Sequence, residues 1–274
     1  MGKNFASGTC GFVLLSALAL TVLGGCYGPA RIRSDARIQR GIVYVLPGIE
    51  GPSRWNRDIV YGLAEGGVGS AIEVYDWTTG LPGGFVFNLA SYERNLRQAA
   101  ALARKIVAYR ERYPGRPVYL VGHSGGAGIA IMAIEALPPG RQIDMAILLA
   151  PALSPEYDLR KALQRTRHGV VNFYSELDLG LLGVGTTIFG SIDREHGASA
   201  GAVGFDVPSA LKAADRELYD GKLRQVKWSP QMRKMGVSGT HSGWTSRSFV
   251  RDYLAPLISE SEANHPLPKT LFQE

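Results

Sequence analysis

Cysteine is almost absent from this chain of 274 residues: Cys10 and Cys26 are the only two. If the leader that holds Cys10 is removed, the folded part has no cysteine pair. A disulfide framework, a cysteine-based metal site and a cysteine nucleophile are then all excluded there. Long hydrophobic runs are also lacking. The one sustained run, Phe12 to Leu23, is too short for an ordinary membrane-spanning helix. No internal repeat is found, so a solenoid or propeller is excluded. The excess of positive charge, +6, is small and comes with no nucleic-acid-binding motif. Histidine is scarce, with five in the chain, so few residues compete for the role of a general base.

What is present is a globular composition, 45% apolar and 20% charged, with 34 glycines that suit many tight turns. The strongest local signal is Val118-Tyr119-Leu120-Val121-Gly122-His123-Ser124-Gly125-Gly126-Ala127-Gly128. An apolar strand runs into Gly-x-Ser-x-Gly, and an apolar helix runs on to Pro138-Pro139. In a nucleophile elbow the serine stands on a sharp strand-to-helix turn, with glycines where the chain passes too close for a Cβ. The same pattern recurs at Gly197-Ala198-Ser199-Ala200-Gly201, but after a charged stretch and before no clear helix. Context selects Ser124 and rejects Ser199.

Along the chain, Gly41 to Leu46 reads as a strand and Pro47 to Pro52 as a loop. Arg54 to Glu65 reads as a helix capped by Ser53, with Trp55, Ile59 and Leu63 inward and Val60 at the margin of that face. Ala71 to Tyr75 is a strand, Asp76 to Phe85 a long apolar loop, and Ser91 to Tyr113 an amphipathic helix. Ile143 to Leu149, Val170 to Tyr174 and Gln225 to Trp228 are further strands, and Trp244 to Ile258 a closing helix. Strands that are continuous apolar runs, alternating with helices, indicate a buried and mainly parallel sheet. Ligands of such sheets sit at the carboxyl ends of the strands.

A serine nucleophile needs a base, and the base needs an orienting acid. His241 follows the last strand, where a loop reaches that end of the sheet; His196 is the runner-up. Asp178 follows the strand Val170 to Tyr174, with Glu176, then Asp193 and Asp206, as competitors. The order Ser124, Asp178, His241 resembles that of the α/β-hydrolase family, as does the element order over 41–258. The resemblance implies a three-layer fold, a mainly parallel central sheet with helices on both faces. It implies a serine esterase or lipase forming an acyl-enzyme on Ser124, with Asp178 and His241 completing a catalytic triad. The oxyanion hole would use the amides of Gly125 and Ile49. The chemistry requires no metal or organic cofactor. Two departures stand out: Pro47 replaces the histidine of the family's His-Gly loop, and Glu50 puts a carboxylate beside the hole. The alternative is a membrane-anchored binding or scaffold protein that kept the fold without turnover.

The N-terminus is read separately. Lys3, the apolar run and Leu23-Gly24-Gly25-Cys26 resemble the signal peptide and lipobox of bacterial lipoproteins. By that resemblance 1–25 is removed and Cys26 carries the lipid. Residues 26–40 form a basic tether, 41–258 the hydrolase domain and 259–274 a polar tail. The expected partners are a small ester with an apolar acyl group and, through lipidated Cys26, a membrane of the cell envelope. Three apolar insertions, Leu81 to Leu89, Leu153 to His168 and Leu179 to Phe205, are candidates for an acyl pocket or lid.

Overall fold

The computed structural model describes residues 32–81, 83–180, 191–195 and 197–262. The proposed signal peptide, Cys26, His196, His265 and most of the tail lie outside them. A short helix α1 (Asp35–Ile38) leads into strand β1 (Ile42–Leu46), helix α2 (Arg54–Glu65) and strand β2 (Ala71–Val74). Helices α3 (Phe85–Ala90) and α4 (Tyr92–Arg112) precede β3 (Val118–His123), then come α5 (Gly125–Glu135) and β4 (Met145–Leu149). Helix α6 (Arg160–Gln164) leads to β5 (Val170–Tyr174). Beyond it lie α7 (Ala200–Val203), α8 (Ala213–Lys222) and β6 (Leu223–Lys227).

The six strands pair in the order β2-β1-β3-β4-β5-β6, each pair parallel. Both faces of the central strands are buried: β1 and β4 are apolar throughout, and β3 and β5 are apolar but for Gly122, His123 and Asn172. Tyr44, Leu120 and Leu148 pack on one side with Leu102 and Ile106 of α4, most of α5, and α6 and α8. Val43, Val121 and Ile147 pack on the other with Ile59 and Leu63 of α2 and the C-terminal helices. The result is the expected three-layer α/β architecture. Since every connection crosses from one end of the sheet to the other, all loops that follow strands gather at one end.

Several details differ from the sequence reading. The loop after β2 contains α3, whose Asn88 and Leu89 are buried. Helix α8 was not anticipated, because its sequence AADRELYDGK is mostly polar and buries only Tyr219. The closing helix is interrupted: a 3-10 turn (Gly243–Thr245), a short α-turn (Arg247–Phe249), a π-turn (Val250–Leu254) and an α-helix (Ala255–Glu262) follow one another. Pro256 lacks an N–H and its ring crowds the carbonyl four residues earlier, so the backbone widens by one residue there. The last helix also runs to Glu262, past Ile258. In the insertion after β4, Leu153, Leu159, Ala162 and Leu163 are buried in the core, so ordinary packing explains that segment.

Candidate active site

Strand β3 ends at His123, and Ser124 takes φ 55° and ψ −125° before α5 begins. That conformation is strained for a residue with a Cβ, at roughly 1–3 kcal/mol, and persists only where the surroundings enforce it. They do so here. Ser124 N–H donates to Leu149 O at 2.9 Å, and its carbonyl accepts from Ala127 N–H at 3.0 Å. A Cβ on Gly126 would lie 2.2 Å from Pro47 O and 2.5 Å from Leu46 O. One on Gly122 would meet Ala127 Cα at 2.5 Å. Both glycines are therefore required by main-chain atoms that have no room to yield. Ser199, by contrast, has φ −97° and precedes only the four-residue helix α7, whose presence the sequence did not signal. The second Gly-x-Ser-x-Gly is no elbow.

Asp178 stands on the 3-10 turn (Glu176–Gly180) that follows β5, and His241 on the loop that follows β6. His241 Nδ1 lies 2.8 Å from Asp178 Oδ2, with the aspartate side chain fully buried and that of the histidine 18% exposed. Since the carboxylate only accepts, Nδ1–H is the donor and the Nε2 lone pair is left free. The loop is held from several sides. Trp244 and Phe249 pack against Phe173 of β5, ring centroids 5.4 and 5.5 Å apart. Trp228 Nε1–H donates to Val237 O at 3.1 Å. His123 Nε2–H donates to the main-chain oxygen of His241 at 3.2 Å, which ties this loop to the residue before Ser124. The rings of His123 and His241 are 4.8 Å apart.

His123 is fully enclosed, and burial, reinforced by His241, lowers its pKa from 6.5 to about 3. It remains neutral with its Nε2–H committed to a carbonyl, so it cannot serve as a base. The other candidates lie elsewhere. Glu176 is exposed and pairs with Lys227 at 2.8 Å. Asp193 accepts from Ser154 and Ser191 and fastens the segment after the 180s to the β4 loop. Asp206 is exposed. His168 sits before β5, at the opposite end of the sheet.

The loop after β1 packs directly on the start of α5. Ile49 Cγ2 would be 2.8 Å from a Cβ on Gly125. This loop is fixed by residues the sequence reading missed. Trp77 Nε1–H donates to Pro47 O at 2.7 Å, and Asn88 Nδ2–H to Ile49 O at 2.9 Å. Asn95 Nδ2–H holds Asn88 O at 2.8 Å, and Arg94 holds Trp77 O at 2.7 Å. The available signal was Asn88 itself, the one amide side chain in an otherwise apolar stretch. Glu50 folds back over Gly48, its Oε2 in the space a Cβ there would fill at 2.3 Å. Burial against the loop raises its pKa above the ordinary 4.5, and the neighbouring His241 works in the opposite direction.

No group of three or more His, Cys, Asp or Glu placed to hold a metal occurs among the described residues. Nor is any helix there long and apolar enough to cross a membrane. Exposed apolar side chains are concentrated on the loops that follow strands: Leu81, Phe85, Phe87 and Leu177 are all more than half exposed.

The profile of the family described as serine aminopeptidase, S33, matches residues 37–216. No curated protein sequence matches the chain significantly. Among solved structures, Aspergillus fumigatus lipase B is 14% identical with a TM-score of 0.49, covering 83% of this chain and 54% of its own. This chain thus spans about half the length of that lipase. Est1E from Butyrivibrio proteoclasticus is 13% identical with a TM-score of 0.49, covering 84% of this chain and 92% of its own. A Pyrococcus furiosus esterase is 11% identical with a TM-score of 0.45, covering 83% and 82%. With the family profile spanning most of the folded region, and with the sheet and the elbow as described, the chain belongs to the S33 serine aminopeptidase family of α/β-hydrolases.

Proposed function

We propose that this hydrolase cleaves carboxylic or thio esters through an acyl-enzyme on Ser124. The observation that carries the reading is the Asp178–His241 pair, 2.8 Å long and tied to the residue preceding a strained serine. His241 Nε2 takes the Ser124 proton as Oγ adds to the ester carbonyl. Asp178 holds the imidazole and stabilises its charged form. The amides of Gly125, at the start of α5, and Ile49 donate to the oxyanion. The imidazolium returns its proton to the leaving alcohol or thiol. Water, deprotonated by His241, then releases the acid and restores Ser124. The exposed Leu81, Phe85, Phe87 and Leu177 support an apolar acyl group.

A second reading is favoured by Glu50 together with the aminopeptidase activity in the family's name: a carboxylate at the mouth would accept a substrate ammonium group. One assay separates the two. Wild type and Ser124→Ala are given a p-nitrophenyl ester series of rising acyl length and a set of aminoacyl p-nitroanilides. Turnover of esters alone, lost in the variant, supports the first reading. Faster turnover of the aminoacyl anilides replaces it with the second. If neither series turns over and a fluorophosphonate probe fails to label Ser124, the protein is a binding or scaffold protein. For the N-terminus, we propose acylation of Cys26 and retention in the cell envelope. Metabolic labelling with an alkynyl fatty acid, lost in Cys26→Ser, is the expected result; an unlabelled wild type would overturn it.

A further inference from the structure

A buried amide side chain, that of Asn88, joins helix α3 to the loop that carries the Ile49 amide. The loop is pinned at three consecutive carbonyls. Trp77 Nε1–H donates to Pro47 O at 2.7 Å, Gly51 N–H to Gly48 O at 3.1 Å and Asn88 Nδ2–H to Ile49 O at 2.9 Å. A peptide unit is planar, so holding the Gly48 carbonyl also aims the Ile49 N–H, and holding the units on either side keeps that plane from turning. The amides before and after it, of Gly48 and Glu50, face the Glu50 carboxylate. That of Ile49 has no acceptor among the described residues, and the Ile49 side chain packs on Gly125 at the start of α5.

Two of these pins are rigid parts of the fold: Trp77 is fully buried, and Gly51 belongs to the same turn. The third comes from a short helix with loose ends. Gly80 and Gly83 precede α3 with φ 67° and 74°, and a Cβ on either would meet nothing within 4 Å. Ser91, at ψ 68°, breaks α3 from α4. Asn88 and Leu89 are the residues that α3 buries. Asn88 is also held by Thr79 N–H, which donates to its Oδ1 at 3.0 Å, and by Asn95 Nδ2–H, which donates to its main-chain oxygen at 2.8 Å. A shift of α3 is therefore carried straight to the Ile49 carbonyl. Phe85 lies one turn before Asn88 on the same face of the helix and is 53% exposed; Phe87 falls on the opposite face.

We propose that Asn88 is a positioning residue for the Ile49 amide, and that through it an acyl chain resting on Phe85 raises kcat. The chain steadies α3 in the place that aims the Ile49 N–H at the oxyanion. Contact remote from the scissile bond is thereby realised in the transition state more than in the bound substrate. Selection for apolar acyl groups is then a selection on rate. The inference rests on the ester-cleaving reading of this site and states how its acyl group is recognised.

The test is steady-state kinetics of the full chain on soluble p-nitrophenyl acetate and p-nitrophenyl octanoate, beside circular dichroism for the fold. In the wild type kcat should be on the order of 10-fold higher for the octanoate, with KM changing less. Asn88→Leu and the smaller Asn88→Ala, which cannot overfill the site, both remove the donor. Whichever folds should lower kcat about 10- to 100-fold and erase the octanoate gain, with KM near the wild-type value. Phe85→Ser should also erase the gain, and Phe87→Ser should retain most of it. A wild-type kcat that does not rise with acyl length overturns the proposal. So does a folded Asn88 variant with wild-type kcat, or one whose loss lies in KM. A gain that survives Phe85→Ser, or that Phe87→Ser removes equally, overturns it too. If a fluorophosphonate labels Ser124 but neither ester is cleaved, the ester reading alone fails. The labelling rates of a short-chain and a long-chain alkyl fluorophosphonate, whose phosphoryl oxygen enters the oxyanion hole, then make the same comparison across the same variants. A serine that neither labels nor turns over sinks both.

Discussion

Nδ1 of His241 lies 2.8 Å from Oδ2 of Asp178, although 63 residues separate them in sequence. The bond fixes which ring nitrogen carries the proton. Asp178→Asn replaces an acceptor by a group that also donates, and the imidazole loses its orientation. We expect kcat to fall on the order of 10³- to 10⁴-fold with the fold intact. Steady-state kinetics beside a circular dichroism spectrum checks this; a folded variant with near-normal kcat would remove Asp178 from the mechanism.

Ser124 holds φ 55°, where glycine is at ease and other residues are not. Ser124→Ala and Ser124→Gly should both abolish turnover. Only the glycine variant should gain stability, by about 1 kcal/mol, since it alone releases the strain. Urea unfolding of the two variants makes the comparison, and equal midpoints would mean that the turn stores no strain.

Gly126 faces the main chain of Leu46 and Pro47 with no room for a methyl group. Gly126→Ala should push the β1 loop away from α5, costing about 3 kcal/mol and displacing the Ile49 amide. Trp77→Phe keeps an aromatic ring but loses part of the buried volume and leaves Pro47 O without its buried donor, the lost bond alone costing about 1–3 kcal/mol. Where this variant remains folded, kcat should drop more than KM rises. The opposite split would place Trp77 in substrate binding.

His123 is neutral in the fold down to about pH 3, whereas in the unfolded chain it takes up a proton near 6.5. The unfolded state therefore binds more protons between those values, and stability falls as pH falls through that window. By pH 5 the loss is about 2 kcal/mol, and above pH 6.5 it vanishes. His123→Phe should flatten unfolding free energy against pH over this range; an unchanged slope would trace the acid sensitivity to other groups.

Glu50 sets a carboxylate beside the amide of Ile49, the proposed oxyanion donor. Glu50→Gln should raise kcat/KM for neutral esters, because it removes a carboxylate from beside the proposed oxyanion donor. If aminoacyl substrates are preferred instead, the same variant should lose them selectively. The ratio of the two activities, measured on one preparation, decides which.

The strands were legible because β1 and β4 are unbroken apolar runs and β3 and β5 nearly so, and β5 matched the expected span to the residue. The elbow was legible because glycine, serine and an apolar strand coincide there and nowhere else. Asp178 and His241 could be picked only by their places after strands; their meeting is a tertiary fact that no local pattern carries. Helix α8 was hidden by its polarity, and the breaks in the closing helix by apolar spacing that continues through them. Trp77, Asn88 and Asn95 were missed because they act on main-chain carbonyls of a distant loop.

From β3 outward the sheet grows in chain order, β4, β5 and β6, each strand laid beside the one before. The serine comes with β3, the aspartate after β5 and the histidine after the edge strand β6. On the proposed mechanism a nascent chain therefore carries its nucleophile long before it carries a base. A product truncated before β6 would hold a serine that nothing can deprotonate. On the proposed mechanism, hydrolytic activity thus waits until β6 and the loop after it have been made.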